Sequence, residues 1–178
     1  MIIVITTYRI AMVTGLVLAT TNCYASDGWI SVGKASSSEG GGTSLAIGTK
    51  LDSNFGFQFG VIFNSEFGSK DINDYPVPHT SYTMLGTKRT GNALGLDLLY
   101  FIPAGNTVRP YVGIGMYTSE RKEIAQSTVT GWYYNQGDKT KVEITGELGL
   151  QAVTSGGFLF GAGYHSLRGP NISLGKTF

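Results

Sequence analysis

The sequence predicts an all-β fold, a closed antiparallel eight-stranded transmembrane β-barrel, from three observations. Apolar residues alternate with polar residues or glycine in segment after segment, which is typical of β-strands with two different faces. The chain of 178 residues contains 26 glycines, and only 14% of it is charged, against roughly 25% in ordinary soluble domains. Bulky apolar side chains share one face, and glycines and charges share the other.

The first 25 residues are predicted to be a signal peptide. They contain no Asp or Glu, and Arg9 precedes an apolar stretch over residues 10–19 that ends in small and polar residues. That stretch is shorter than the roughly 20 residues of a membrane helix. We expect cleavage after Ala25, which leaves residues 26–178 as the barrel domain. Lipidation of Cys23 is a weaker alternative, because residues 20–22 do not resemble a lipidation signal.

The strands are predicted in order from the alternation. Two weaker strands come first, near Trp29–Ala35 and Thr43–Leu51, and the clearest strand follows at Phe55–Phe63. The remaining five are Leu94–Ile102, Val108–Met116, Val142–Ala152, Phe158–Tyr164 and Ile172–Phe178. Most have about the 9–11 residues that a strand needs to cross a bilayer.

The connections between these strands alternate in length. Residues 52–54, 104–107 and 154–157 have the composition of tight hairpin turns. Two of the intervening connections are long, roughly 65–91 and 119–140. Short turns at one end and longer loops at the other are typical of transmembrane barrels.

The polar face of the strands predicts a network of charges inside the barrel. Its members are Lys50, Asp97, Arg109, Glu143 and Glu147. A bilayer barrel turns its bulky face to lipid and its polar face to the lumen. Buried charges need partners, so we expect the three acids to pair with Arg109 or Lys50 and to plug the lumen. A narrow ion path is the alternative.

Aromatic residues are predicted to form a girdle near one end of the barrel. The members are Trp29, Phe55, Phe57, Tyr100, Phe158, Phe160 and Phe178. Aromatic side chains are favoured where a bilayer meets water.

Several classes of function are not expected. A formal net charge of +1 argues against a nucleic-acid binder. The single cysteine argues against a disulfide scaffold or a cysteine zinc site, and His79 and His165 are far apart in sequence. We therefore expect no metal and no cofactor.

The last ten residues, Gly169–Phe178, carry apolar residues at alternate positions and end on phenylalanine. This resembles the C-terminal signature of bacterial outer-membrane proteins. With the signal segment and eight strands, the chain resembles the small eight-stranded outer-membrane barrels of the OmpA/OmpX or opacity-protein type, in the porin-like superfamily. The resemblance implies a Gram-negative outer membrane and an assembly machinery that recognises Phe178. Lys176 departs from the pattern, because it falls on the lipid-facing side.

The function expected from this is non-enzymatic, structural or surface-interacting. The long loop over residues 119–140 carries Trp132, Tyr133 and Tyr134, which are candidates for contacting a host or surface ligand. The alternative is that the loop continues its hairpin above the membrane, with the rings packed on each other. Membrane lipid and lipopolysaccharide are the other expected partners, and a narrow porin-like channel is the alternative function.

Some barrels of this kind are lipid A-modifying enzymes, in which a histidine and a serine lie two residues apart on the outer face. Here His165 and Ser166 are adjacent. Adjacent strand residues point to opposite faces, so we do not expect an enzyme.

Overall fold

A computed structural model describes residues 25–35, 41–51, 54–63, 70–78, 80–105 and 107–178. It confirms the predicted fold, a closed antiparallel eight-stranded β-barrel. The predicted signal peptide, apart from Ala25, and His79 lie outside the described residues. Within the described part of the chain, no helix is long and apolar enough to cross a membrane.

Nine strands are present in the described residues, and eight of them form the barrel wall. The wall strands are β1 (Ala25–Lys34), β2 (Thr43–Leu51), β3 (Phe55–Phe63), β5 (Tyr82–Phe101), β6 (Val108–Ser127), β7 (Tyr133–Val153), β8 (Phe158–His165) and β9 (Gly169–Thr177). The short strand β4 (Ile72–Asn73) pairs in parallel with the start of β7 and lies outside the ring.

Antiparallel pairing closes the ring. Strand β1 pairs with both β2 and β9, and β8 pairs with both β9 and β7. Where the eight strands pair around the ring, closure satisfies their backbone hydrogen bonds without help from water, as a transmembrane barrel requires. We call the end with the short β2–β3, β5–β6 and β7–β8 connections the turn end, and the opposite end the loop end.

The two faces of the wall differ as the alternation predicts. The outward face carries large apolar side chains on all eight strands, and Ile144 is 80% exposed. Other outward side chains are Ile30, Ile47, Phe57, Leu98, Ile114, Leu148, Phe160 and Ile172. The inward face carries glycines and buried polar groups, among them Gln58, Asp97, Glu147 and His165.

Strands β5, β6 and β7 are longer than predicted, with 20, 20 and 21 residues. Much of the two predicted long loops is therefore strand, and β6 pairs with β7 from Val108 up to Gln126. In this extension, above the apolar belt, the simple apolar alternation is lost, although several of its residues are buried, among them Arg89, Arg121, Ile124, Ala125 and Tyr134. We call this extension, residues 82–92, 119–127 and 133–142, the loop-end sheet.

Candidate functional site

The lumen near the turn end is filled by an aromatic layer that includes Trp29. This tryptophan is 4% exposed and therefore lies inside the barrel, so its assignment to the outer girdle is wrong. Its Nε1 donates to Gln58 Oε1 at 2.8 Å, and its ring packs edge-on against Phe101 at 5.8 Å. Gly48 makes room for it, since an added Cβ there would lie 2.3 Å from the ring.

Trp29 lies inside because of its place in the alternation of β1, where successive side chains point to opposite faces of the wall. Trp29 shares its face with Asp27 and Ser31, which are also buried, whereas Ile30 and Val32 are exposed. The other six predicted girdle residues do lie on the outside. They are Phe55, Phe57, Tyr100, Phe158, Phe160 and Phe178.

The centre of the lumen is a cluster of charges around Arg168. This arginine follows β8 in the turn Ser166–Arg168, and its side chain points back into the barrel, where it is fully buried. Its Nη2 donates to Glu147 Oε2 at 2.9 Å and to Asp97 Oδ2 at 3.3 Å. The cation that pairs with these two acids is therefore Arg168, not Arg109 or Lys50.

The side chains that hydrogen-bond to the two carboxylates all act as donors. Asp97 accepts from Tyr117 Oη at 2.8 Å, His165 Nε2 at 3.0 Å, Thr145 Oγ1 at 3.3 Å and Arg168. Glu147 accepts from Gln58 Nε2 at 2.8 Å, Asn171 Nδ2 at 3.4 Å, Tyr111 Oη at 3.5 Å and Arg168. An ionised carboxylate has about four acceptor sites and no proton to donate, so this arrangement fits the ionised form of each acid.

His165 is held in one tautomer by the turn that follows it. Its Nδ1 accepts the backbone N–H of Leu167 at 3.0 Å and of Arg168 at 2.9 Å. The ring proton must then be on Nε2, which donates to Asp97. The imidazole is thus neutral, and it fixes the turn that directs Arg168 into the lumen.

The same cluster does not fit a metal ion. Ligand atoms of Asp97, Glu147 and His165 lie within 4.8 Å of one another. However, His165 Nδ1 accepts two backbone N–H groups, so a metal on Nε2 would require either an imidazolate ring or the loss of those two hydrogen bonds. The guanidinium of Arg168 already supplies the positive charge between the two acids.

The other predicted lumen charges lie in two separate groups, because the barrel holds them at different heights. At the turn end, Arg109 bridges to Asp27 at 2.6 Å, and both line a cavity of about 780 Å³ together with Lys50. Toward the loop end, Glu143 pairs with Arg121 at 2.7 Å and with Lys141 at 2.8 Å. The five residues therefore do not form one network.

Apolar layers close the lumen on both sides of the central charges. Below them, toward the turn end, lie Trp29, Leu99, Phe101 and Tyr111. Above them lie Ala35, Ile62, Ala93, Tyr117 and Leu167. Leu167 comes from the same turn as Arg168, so this turn contributes to both the charged layer and the upper apolar layer.

The three aromatic residues of the predicted contact loop have different environments. Tyr134 is buried, with its ring 5.6 Å from that of Tyr75. Tyr133 is half-buried and accepts a hydrogen bond from Lys70 Nζ at 3.1 Å. Trp132 is 59% exposed at the tip of the β6–β7 hairpin. The hairpin does continue above the belt, but the tyrosines pack on residues 70–75 and not on each other.

The segment containing β4 is held against the loop-end sheet by charge as well. Lys122 donates a hydrogen bond to Asp74, and the ammonium group holds the pKa of that carboxyl below its usual value. Asn73 Nδ2 also donates to the Tyr133 carbonyl at 3.1 Å.

His165 and Ser166 lie on opposite sides of the wall. His165 is fully buried in the lumen, while Ser166 is exposed and its Oγ accepts the Gly146 N–H at 3.1 Å. The two side chains cannot act together on a substrate.

Arg168 is the residue of the site that the sequence pattern does not reveal. It lies between the last two predicted strands, Phe158–Tyr164 and Ile172–Phe178, where no alternation indicates a direction. Charge balance could reveal it only once the strand register is known, because among the described strands no strand cation pairs with Asp97 or Glu147.

No family model and no curated protein sequence matches the chain. Among solved structures, it is similar to the N-terminal β-barrel domain of Pseudomonas aeruginosa OprF, at 16% identity over 86% of this chain and 98% of that one, with a TM-score of 0.49. It is also similar to Neisserial surface protein A, at 14% identity, 85% and 95% coverage and a TM-score of 0.45. Ail, the attachment invasion locus protein of Yersinia pestis, matches at 14% identity, 85% and 96% coverage and a TM-score of 0.38. The chain is thus similar to small eight-stranded outer-membrane barrels, and at these identities the similarity concerns the fold.

Proposed function

We propose that this protein is an integral outer-membrane barrel with a structural or surface-interaction role, exported through a cleaved signal peptide in a Gram-negative bacterium. The observation that carries the proposal is the distribution of side chains across the wall. Large apolar residues are exposed around the whole outside, while the ion pairs of the central layer are inside. The loop-end sheet is then the part that faces the outside of the cell.

This distribution is unfavourable in water and favourable in a bilayer. Soluble monomers rarely expose contiguous apolar patches larger than a few hundred Å². Here exposed leucine, isoleucine, valine or phenylalanine side chains occur on every wall strand. The proposed partners are outer-membrane lipid and lipopolysaccharide around the belt, the assembly machinery at Phe178, and a host or surface ligand at the loop-end sheet. Trp132 is the exposed aromatic candidate for that ligand.

The arrangement of the lumen favours a plug over a channel. Buried apolar side chains lie above and below the charged layer, so an ion would have to cross both layers and separate Arg168 from its acids. Planar-bilayer recording tests this: we expect no stable conductance, and a steady channel altered by Asp97→Asn would establish the transport function instead.

A lipid A-modifying activity has no observation in its favour, and mass spectrometry of lipid A with and without the protein tests it.

The membrane location is tested by Leu148→Arg. Leu148 lies on the outward face of β7, five residues above Val153, which places it near mid-depth of a span of about 9–11 residues. If it faces lipid, the arginine lowers the free energy of unfolding in phospholipid vesicles by roughly 2–4 kcal/mol.

Thr140→Arg is the matched control for this substitution. Thr140 is also exposed, on the same strand and the same face, but in the loop-end sheet above the belt. We expect its effect to stay within about 0.5 kcal/mol, as for other surface changes. Equal effects of the two substitutions would mean that the outward face does not meet lipid.

Fractionation of expressing cells tests the location independently, since the protein should appear in the outer-membrane fraction.

A further inference from the structure

The tip of the β6–β7 hairpin, residues 128–132, presents two large apolar side chains to water. Val129 is 72% exposed and Trp132 is 59% exposed. Both lie in the connection between Ser127, the last residue of β6, and Tyr133, the first residue of β7. Because exposed apolar surface is unfavourable in water, this tip would gain free energy by moving into a less polar environment.

The backbone of the tip is suited to the same environment. Exposed apolar side chains alone are common on protein surfaces. Here, however, the five backbone N–H groups of residues 128–132 all donate to acceptors within the protein, at 2.9–3.3 Å. The Ser127 hydroxyl accepts two of them and the Thr130 hydroxyl accepts a third. An N–H group that leaves water without an acceptor is costly, and these five avoid that cost.

Charged residues stay away from the tip along the hairpin. Residues 124–137 contain no Asp, Glu, Lys or Arg, and the flanking charges are Glu123 and Asp138. Glu123 precedes the tip by about 17 Å along an extended strand. The interfacial layer on each side of a bilayer is only about 5–8 Å thick, so the tip can enter it while both charges remain in water. Lys70 and Asp71 of the neighbouring segment have opposite charges, so they leave the tip without a net charge.

We propose that this tip inserts into the interfacial layer of a second phospholipid bilayer, one that lies opposite the outer membrane. Tryptophan is favoured at this depth because its ring is apolar and its N–H group is polar. Val129 adds apolar area beside it, and the absence of net charge fits a zwitterionic lipid surface. This inference rests on the proposed function, because it requires the loop-end sheet to face the outside of the cell.

The hairpin cannot fold back onto the membrane that holds the barrel. Residues Ser119–Ser127 of β6 extend above the belt for about 30 Å along the strand. Over most of this length β6 pairs with β5 on one side and with β7 on the other. A three-stranded sheet of this kind holds the tip away from its own membrane, so the bilayer that it meets is a second one.

A protein pocket is the alternative occupant, and the polar groups of the tip favour lipid over it. A protein interface typically carries about ten direct hydrogen bonds. Here the hydroxyls of Ser127 and Thr130 accept backbone N–H groups, and the Thr128 hydroxyl donates to the Ser81 carbonyl at 2.9 Å. These groups are engaged within the protein, whereas insertion into lipid needs apolar area and no directional bonds.

The test uses the full-length barrel in phospholipid nanodiscs, mixed with vesicles of phosphatidylcholine whose acyl chains carry bromine. Bromine quenches tryptophan fluorescence only at close contact. The chain has two tryptophans, and Trp29 is enclosed in the lumen, so quenching reports on Trp132. We expect the fluorescence to fall as the vesicle concentration rises, and to fall equally when the vesicles also contain anionic phosphatidylserine.

Two substitutions that retain Trp132 identify the part of the hairpin that binds. Val129→Asp places a charge in the tip, whereas Thr140→Asp places the same charge at an exposed position of β7 far from it. We expect the tip variant to bind vesicles at least about tenfold more weakly, a difference of about 1.4 kcal/mol, and the control to bind as the wild type does. Trp132→Ser should also weaken binding, measured by sedimentation of sucrose-loaded vesicles.

Three vesicle results would overturn the inference: no quenching of an inserted barrel, equal weakening by both aspartate substitutions, or binding only to anionic vesicles. Adherence of expressing bacteria to animal cells is a further test. If Trp132→Ser lowers adherence and protease treatment of those cells abolishes it, the tip binds a protein instead.

Each sample is also tested for heat-dependent gel mobility and for retention in the nanodisc. A protein that fails those tests contradicts the proposed function. An inserted barrel whose tryptophan is not quenched contradicts the insertion of the tip alone.

Discussion

Replacing Arg168 by methionine is expected to lower the free energy of unfolding by about 3–5 kcal/mol, the range found when one partner of a buried ion pair is removed. The guanidinium contacts both Asp97 and Glu147, and all three side chains are buried. Methionine fills similar space but leaves two carboxylates in the lumen without a counter-charge. Urea unfolding in phospholipid vesicles, followed by gel mobility and tryptophan fluorescence, measures the change.

Two further variants separate the charge effect from a packing effect. Adding Asp97→Asn and Glu147→Gln to Arg168→Met removes the unpaired charges, so most of the lost stability should return. Lys139→Met breaks the exposed pair with Glu123, whose atoms are 3.3 Å apart, and should change stability by about 0–1 kcal/mol. A triple variant no more stable than Arg168→Met would show that the charge cluster is not what stabilises the lumen.

The alternation of residues was sufficient to predict the barrel and most of its sidedness. In β3, β6 and β8 a bulky residue alternates with glycine or a polar group, so one face is identified without knowledge of neighbouring strands. The prediction was wrong at Trp29 because β1 is a weak strand in which large residues occur at successive positions, Trp29 and Ile30. The general preference of aromatic residues for the membrane interface then favoured an outward Trp29. The face on which Trp29 actually lies is set by the strand register, which pairs it with Gly48 and Gly175.

The partners inside the lumen could not be predicted from strand parity. The alternation along each strand places Asp97, Arg109 and Glu147 on the inner face, but it does not give their positions along the barrel axis. Oppositely charged residues at different levels of the axis do not form ion pairs. Height depends on register, which pairs Asp97 with Gln58 and Glu147 with His165 across neighbouring strands. The decisive cation, Arg168, comes from a turn, where neither parity nor register applies.

The polar and apolar layers of the lumen depend on one another. His165 uses Nδ1 to fix the turn that carries Leu167 and Arg168, and uses Nε2 to contact Asp97. One backbone conformation of the turn therefore has two effects. It places Arg168 between the two acids, and it places Leu167 in the apolar layer above them. In the described residues, the loop-end sheet extends from three wall strands, β5, β6 and β7, so its position depends on the barrel below it.

Trp29→Ala is expected to be the second large change, with a loss of about 3–5 kcal/mol in the free energy of unfolding, as for other buried aromatic residues. The ring fills the lumen near the turn end, and its Nε1 satisfies Gln58 Oε1. Phe57→Ala is the control, since Phe57 lies on the outward face and leaves no internal cavity. If both substitutions cost the same, Trp29 belongs to the outer girdle after all.

A second-site test makes this prediction specific to the contact between Trp29 and Gly48. Gly48→Ala alone should destabilise the barrel, because the added methyl group would lie 2.3 Å from Trp29 Cε2 in a packed layer. In the Trp29→Ala background, the same methyl group points into the vacated space and should be neutral or stabilising. Residues in contact commonly show coupling of about 0.5–3 kcal/mol in such a cycle, whereas independent sites add. Simple additivity of the two substitutions would place the indole away from Gly48, and only an inward Trp29 predicts the change of sign.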